Sequence, residues 1–148
     1  MNTAEVITAI ENAVENDEKL NAWCEETLGS RPYIMVGYDA LKPPQRDVYP
    51  LIILFDITPE HEEVRMTTVT RKIGISSGVL NETVTKTDRK IRFEGMIQSE
   101  SFREQISKAV LRKFLGKITV KPLGTESVYP FFASGMEISV KSPFNIGA

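Results

Sequence analysis

Histidine and cysteine each occur once in 148 residues, as His61 and Cys24, and tryptophan occurs once, as Trp23. A lone cysteine cannot close an internal disulfide, and one imidazole with one thiol leaves almost no soft ligands for zinc, iron or copper. A reduced compartment, no structural metal and no cofactor are therefore expected. Long apolar runs are also missing. The longest, Leu51 to Phe55, is far below the roughly 20 residues that a bilayer-crossing helix needs. Residues Met1 to Ile10 carry neither a basic leader nor a signal-peptide core, so the protein is expected to stay where it is made, with no membrane partner. With only 9 Gly and 8 Pro against 41% hydrophobic residues, collagen-like, low-complexity and wholly disordered chains are excluded. What remains is one soluble domain over 1–148, long enough to bury a core without staples.

The net charge of −2 conceals a division along the chain. Residues 1–63 hold 13 acidic and 4 basic side chains, while residues 64–148 hold 7 and 14. The segments therefore carry −9 and +7. Either they form two unrelated solvated surfaces, or an acidic face meets a basic face on a neighbouring subunit, which makes a head-to-tail contact that closes as a ring or runs on as a filament.

Residues 3–28 space Val6, Ile7, Ile10, Val14, Leu20, Trp23 and Leu28 at helical intervals, predicting one long helix or two short ones. Asn2 with Glu5, or Thr3 alone, can cap the start, Asn16-Asp17 is the expected interruption, and Gly29 suits the left-handed stop. Pro32 to Tyr38 predicts a strand, Asp39 to Asp47 with Pro43-Pro44 a loop, and Val48 to Ile57 a central strand entered through Pro50. Val64 to Ser76 and Arg89 to Ile97 alternate in polarity, predicting an antiparallel ribbon joined by a mobile loop, Ser77 to Asp88. Ser101 and Glu104 form a second capping box, opening a helix whose stripe is Phe102, Ile106, Ala109, Val110 and Phe114, stopped at Gly116. A short strand Ile118 to Val120, a loop Leu123 to Pro130 and a last strand through Phe132, Met136, Ile138 and Val140 complete the pattern. Residues 142–148 carry none and are expected to be a disordered tail. The class is α+β: one domain, with a mixed or antiparallel sheet of five to six strands packed against two helices.

Catalytic chemistry finds little to stand on. His61 sits in Pro59-Glu60-His61-Glu62-Glu63, a charged turn that supports no triad, Cys-His pair or dedicated metal site. Ile73-Gly74-Ile75-Ser76-Ser77-Gly78 and Leu123-Gly124-Thr125 match neither phosphate-binding loop pattern. Asp56 and Glu94 are the remaining carboxylate pair, if their strands are adjacent. Both Glu63-Val64-Arg65 and Glu94-Gly95-Met96 lack the lysine that a metal-dependent nuclease needs two residues on. The chain is accordingly read as a non-enzyme with no catalytic, cofactor or metal residue.

The basic half is more informative. Arg71, Lys72, Lys86, Arg89, Lys90 and Arg92 belong to the expected ribbon and its loop, while Arg103, Lys108, Arg112, Lys113 and Lys117 lie on or beside the second helix. Binding of free nucleic acid prefers exposed aromatics among such charges, and Phe93, Phe102 and Phe114 fall instead on stripes expected to be core. A two-stranded arm with a polar end reaches a neighbour or lines a pore.

In element order the chain resembles the tail terminator, or tail completion, proteins of long-tailed bacteriophages and prophages. The resemblance lies in the N-terminal amphipathic helix and the strand Val48-Tyr49-Pro50-Leu51-Ile52-Ile53. It continues through two long strands with a variable loop, the helix Ser101 to Leu115 and the closing strand Ala133-Ser134-Gly135-Met136-Glu137-Ile138-Ser139-Val140. It implies a non-enzymatic homo-oligomer, a hexameric ring that caps the tail tube, stops its growth and offers a head-joining surface. The implied partners are the tail tube protein and a head-completion protein, with DNA passing through the lumen. The implied location is the virion tail, and the bacterial cytoplasm during assembly. The six basic residues of the ribbon and its loop are the candidate interface or lumen residues. A non-enzymatic adaptor module of the same class is the alternative, followed by a small enzyme such as a nuclease.

Overall fold

The computed structural model describes the backbone of residues 2–57, 63–65 and 68–143 and the side chains of 2–57 and 70–141. Helix α1, Thr3–Glu15, buries Val6, Ile10, Ala13 and Val14. Its capping box is formed as expected: the Asn2 side chain accepts from Glu5 N at 2.8 Å and Glu5 Oε2 from Asn2 N at 3.1 Å. The helix breaks at Asn16, and α2, Glu18–Leu28, starts under a new cap in which Asp17 Oδ1 accepts from Leu20 N at 2.8 Å. Gly29 closes α2 at φ +89°, a conformation that costs a side-chain-bearing residue about 1–2 kcal/mol.

Strand β1, Tyr33–Val36, runs parallel to β2, Leu51–Asp56, and every other ladder is antiparallel. With β3, Glu63–Arg65, β4, Thr68–Leu80, β7, Ile118–Val128, and β8, Phe131–Pro143, they form a six-stranded mixed sheet in the order β1-β2-β4-β8-β7, with β3 beside β4. The α+β class is as the patterning predicts. Period-two alternation sends Ile52, Leu54, Ile73, Ile75, Phe132, Met136 and Ile138 to one face, where they join the core residues of α1, α2 and α3, Glu94–Phe114. Each such fully buried side chain contributes about 1.5–3 kcal/mol. On the opposite face, the Phe55 and Tyr49 rings lie over Gly74 and Gly78.

Five expectations are corrected. The segment Val64 to Ser76 is not one arm strand but β3 and β4, and β4 continues through Ser77 to Leu80 inside the sheet, between β2 and β8. The expected partner Arg89 to Ile97 is also divided: Lys90–Phe93 is β6, which pairs with β5, Val84–Thr87, in a separate two-stranded sheet, and Glu94 already begins α3. Ser101 therefore lies seven residues inside the helix and caps nothing. The loop Leu123 to Pro130 is mostly strand, since β7 passes Pro122 through a bulge before Thr125 and resumes pairing to Val128. Pro122 is tolerated because β7 is an edge. The expected tail also starts later, because Ser142 and Pro143 belong to β8; residues 144–148 lie outside the described set.

One physical cause hides both the end of β4 and the start of α3. Ser77, Ser99 and Ser134 are fully buried where β4, α3 and β8 meet. The Ser77 hydroxyl faces the carbonyl oxygens of Ser99 at 2.9 Å and Ser134 at 3.1 Å, and the Ser99 and Ser134 hydroxyls are 2.9 Å apart. Polar atoms that satisfy one another can occupy core positions, and hydrophobic periodicity does not detect them. The first two inward positions of α3 are Gly95 and Ser99, so the helical stripe becomes visible only at Phe102.

Candidate assembly surface

The six basic candidates do not converge. Arg71 lies on the helix-covered face, where its guanidinium donates to Thr3 Oγ1 at 3.2 Å. Lys72 is on the opposite face, in register with Ser139. Both are about 25–30 Å along β4 from Leu80, beyond which the hairpin begins. Lys86, Arg89, Lys90 and Arg92 remain together on the β5–β6 hairpin, whose strands join through Asp88-Arg89 with Thr87 paired to Lys90. The β-branched Val84, Thr85 and Thr87 and the two-residue connection suit a hairpin.

No strand of this hairpin buries a face: β6 is exposed throughout, and in β5 only Val84 is partly covered. The root is firmly held. Asn81 N donates to Pro130 O at 2.9 Å, Asn81 Nδ2 to Gln98 Oε1 at 3.0 Å, Glu94 N to Thr83 O at 3.2 Å and Tyr129 Oη to Glu82 O at 2.8 Å. Phe93, expected in the core, is 42% exposed. Its ring meets Tyr129 at 5.8 Å and Phe132 at 6.4 Å. With Tyr129, 51% exposed, and Ile91, 64% exposed and on the same face of β6, it forms an apolar ridge at the base of a basic arm. Arg92 pairs with Glu94 at 2.8 Å, whereas no described acid pairs with Lys86, Arg89 or Lys90.

Acidic residues gather elsewhere. Residues 3–28 hold seven acidic side chains and one basic. Where α1 meets α2, Arg112 in the last turns of α3 grips Asp17 with two hydrogen bonds, 3.0 and 2.7 Å. That pairing, strengthened by the Leu20 amide, holds the Asp17 carboxyl below its usual value despite burial. Helix α3 has 21 residues, or about 30 Å. The basic hairpin enters its N-terminus, and the acid-rich corner packs on its C-terminus, where Arg112 and Lys113 also lie.

Sites for chemistry are sparse among the described residues. No three His, Cys, Asp or Glu side chains there are grouped to hold a metal, and no helix is long and apolar enough to cross a membrane. Asp56 ends β2 while Glu94 opens α3, so the carboxylate pair is not on adjacent strands. His61 lies outside the described residues. Cys24 is buried, and desolvation with the Glu25 charge pushes its thiol up to about 12. Two open grooves were not foreseen in the sequence. One of about 510 Å³ crosses the uncovered sheet face between Tyr38, Phe55 and Leu123. The other, of about 420 Å³, runs between α3 and β7 beside Glu100 and Glu104. A scan of protein-family models finds none that matches the chain, and a search of curated proteins finds no match.

Proposed function

We propose that this chain is a non-enzymatic structural assembly protein of the tail-terminator kind, whose subunits join head to tail in a hexameric ring. In this reading the ring caps a phage or prophage tail tube, stops its growth and presents a head-joining surface. It works in the virion tail after assembly in the bacterial cytoplasm, with the tail tube protein and a head-completion protein as partners. The observation that carries it is the β5–β6 hairpin, fixed at its root yet burying neither face. An isolated two-stranded hairpin is marginal in water, and an exposed apolar ridge beside it calls for a partner chain. The resemblance to tail terminators in the N-terminal helix, β2 and β8 supports the kind of assembly, and the basic hairpin with the acid-rich α1 and α2 supports a heterologous contact. Lys86 and Arg89 are the residues assigned to the joint or the DNA-conducting lumen.

Absolute molar mass by light scattering, across a concentration series at low and high salt, tests the reading. A discrete species of about six subunits that loosens with salt is expected. A monomer at every concentration overturns the ring and puts the adaptor in its place.

A further inference from the structure

We infer that the ridge formed by Ile91, Phe93 and Tyr129 is the apolar centre of a joint between two copies of this chain, with the hairpin tip of one copy seated on the α1–α2 corner of the next. The inference rests on the ring reading and specifies which surfaces make the ring. Ile91 is in register with Lys86 and shares the face of Phe93, so the tip carries apolar and cationic groups on one side. The corner offers Glu11 and Glu15, one helical turn apart on α1, and Glu18 just across the junction. A groove of about 300 Å³ opens there between Asn12, Asn16 and Ala109.

The charges fit one another. The hairpin, 84–93, holds four basic residues and one acidic, against seven acidic and one basic in 3–28. Arg112 at the groove is already neutralised by Asp17, which leaves Lys113 as the opposing cation at its edge. Because the two surfaces lie at opposite ends of α3, a copy cannot satisfy its own arm. Apolar burial holds the joint, and the charges select its register.

A charge-exchange experiment tests the pairing. K86E/R89E reverses the arm tip at exposed positions, with Lys86 on the face of Ile91, and E11K/E15K reverses the corner with cations that suit a helix C-terminus, so both variants should fold. Each alone is expected to associate about tenfold or more weakly than the unmodified chain by light scattering. An equimolar mixture is expected to recover full association, because every arm then meets a corner of opposite sign. I91D should stay monomeric at every salt concentration with an unchanged circular dichroism spectrum. A mixture that fails to recover, or I91D assembling normally, overturns the joint while leaving a ring by other surfaces standing. A monomeric unmodified chain overturns both.

Discussion

Asp17 does two jobs with one carboxylate, capping α2 and holding the end of α3 through Arg112. Its folded pKa is depressed below the ordinary 3.8, so its stabilising contribution is complete above that value and lost as pH falls through the lower folded value. Thermal unfolding followed from neutral to acid pH should register this loss, and D17N should flatten that part of the profile while keeping the cap. D17A removes both roles and should cost about 1–2 kcal/mol in denaturant titrations. Cys24 should resist thiol reagents at mildly alkaline pH in the folded protein and react readily once unfolded, since its pKa of about 12 keeps it protonated. Fast modification of the native chain would show that α2 opens. Gly95 sits so close under the Phe132 ring that an added Cβ would overlap it. G95A should therefore lower stability by about 1–3 kcal/mol despite alanine's better helix propensity.

Elements were legible wherever apolar side chains alone filled the inward positions. The two N-terminal helices, their break at Asn16-Asp17, β1, β2 and the inward set of β8 follow directly from spacing and caps. The end of β4 and the start of α3 were not, because Ser77, Gly95 and Ser99 carry no apolar signal. Strand β7 was obscured by Pro122, and its bulge is stitched by Arg103, whose guanidinium donates to the carbonyls of Leu123 and Gly135. R103M should leave those acceptors without this cation, costing about 1–3 kcal/mol in chemical unfolding. A neutral result would mean that water replaces the guanidinium.

At the scale of the whole molecule, the candidate interface was partly legible. Lys86, Arg89, Lys90 and Arg92 do share an exposed arm, but Arg71 and Lys72 belong to opposite faces of the main sheet. The uneven charge along the chain was readable by counting; that the basic hairpin and the acid-rich α1–α2 corner are separated by the length of α3 was not. Composition, caps and periodicity alone determined a single-domain α+β chain with an acidic helical start and a basic second half, because these depend on neighbours within a few residues. Only the tertiary structure decided which strands pair, that serines occupy core positions, and that Phe93 meets Tyr129 beside Ile91 in one exposed ridge. Those outcomes depend on which distant groups can satisfy one another's hydrogen bonds and exclude water from one another, and no local window of sequence contains both members of such a pair.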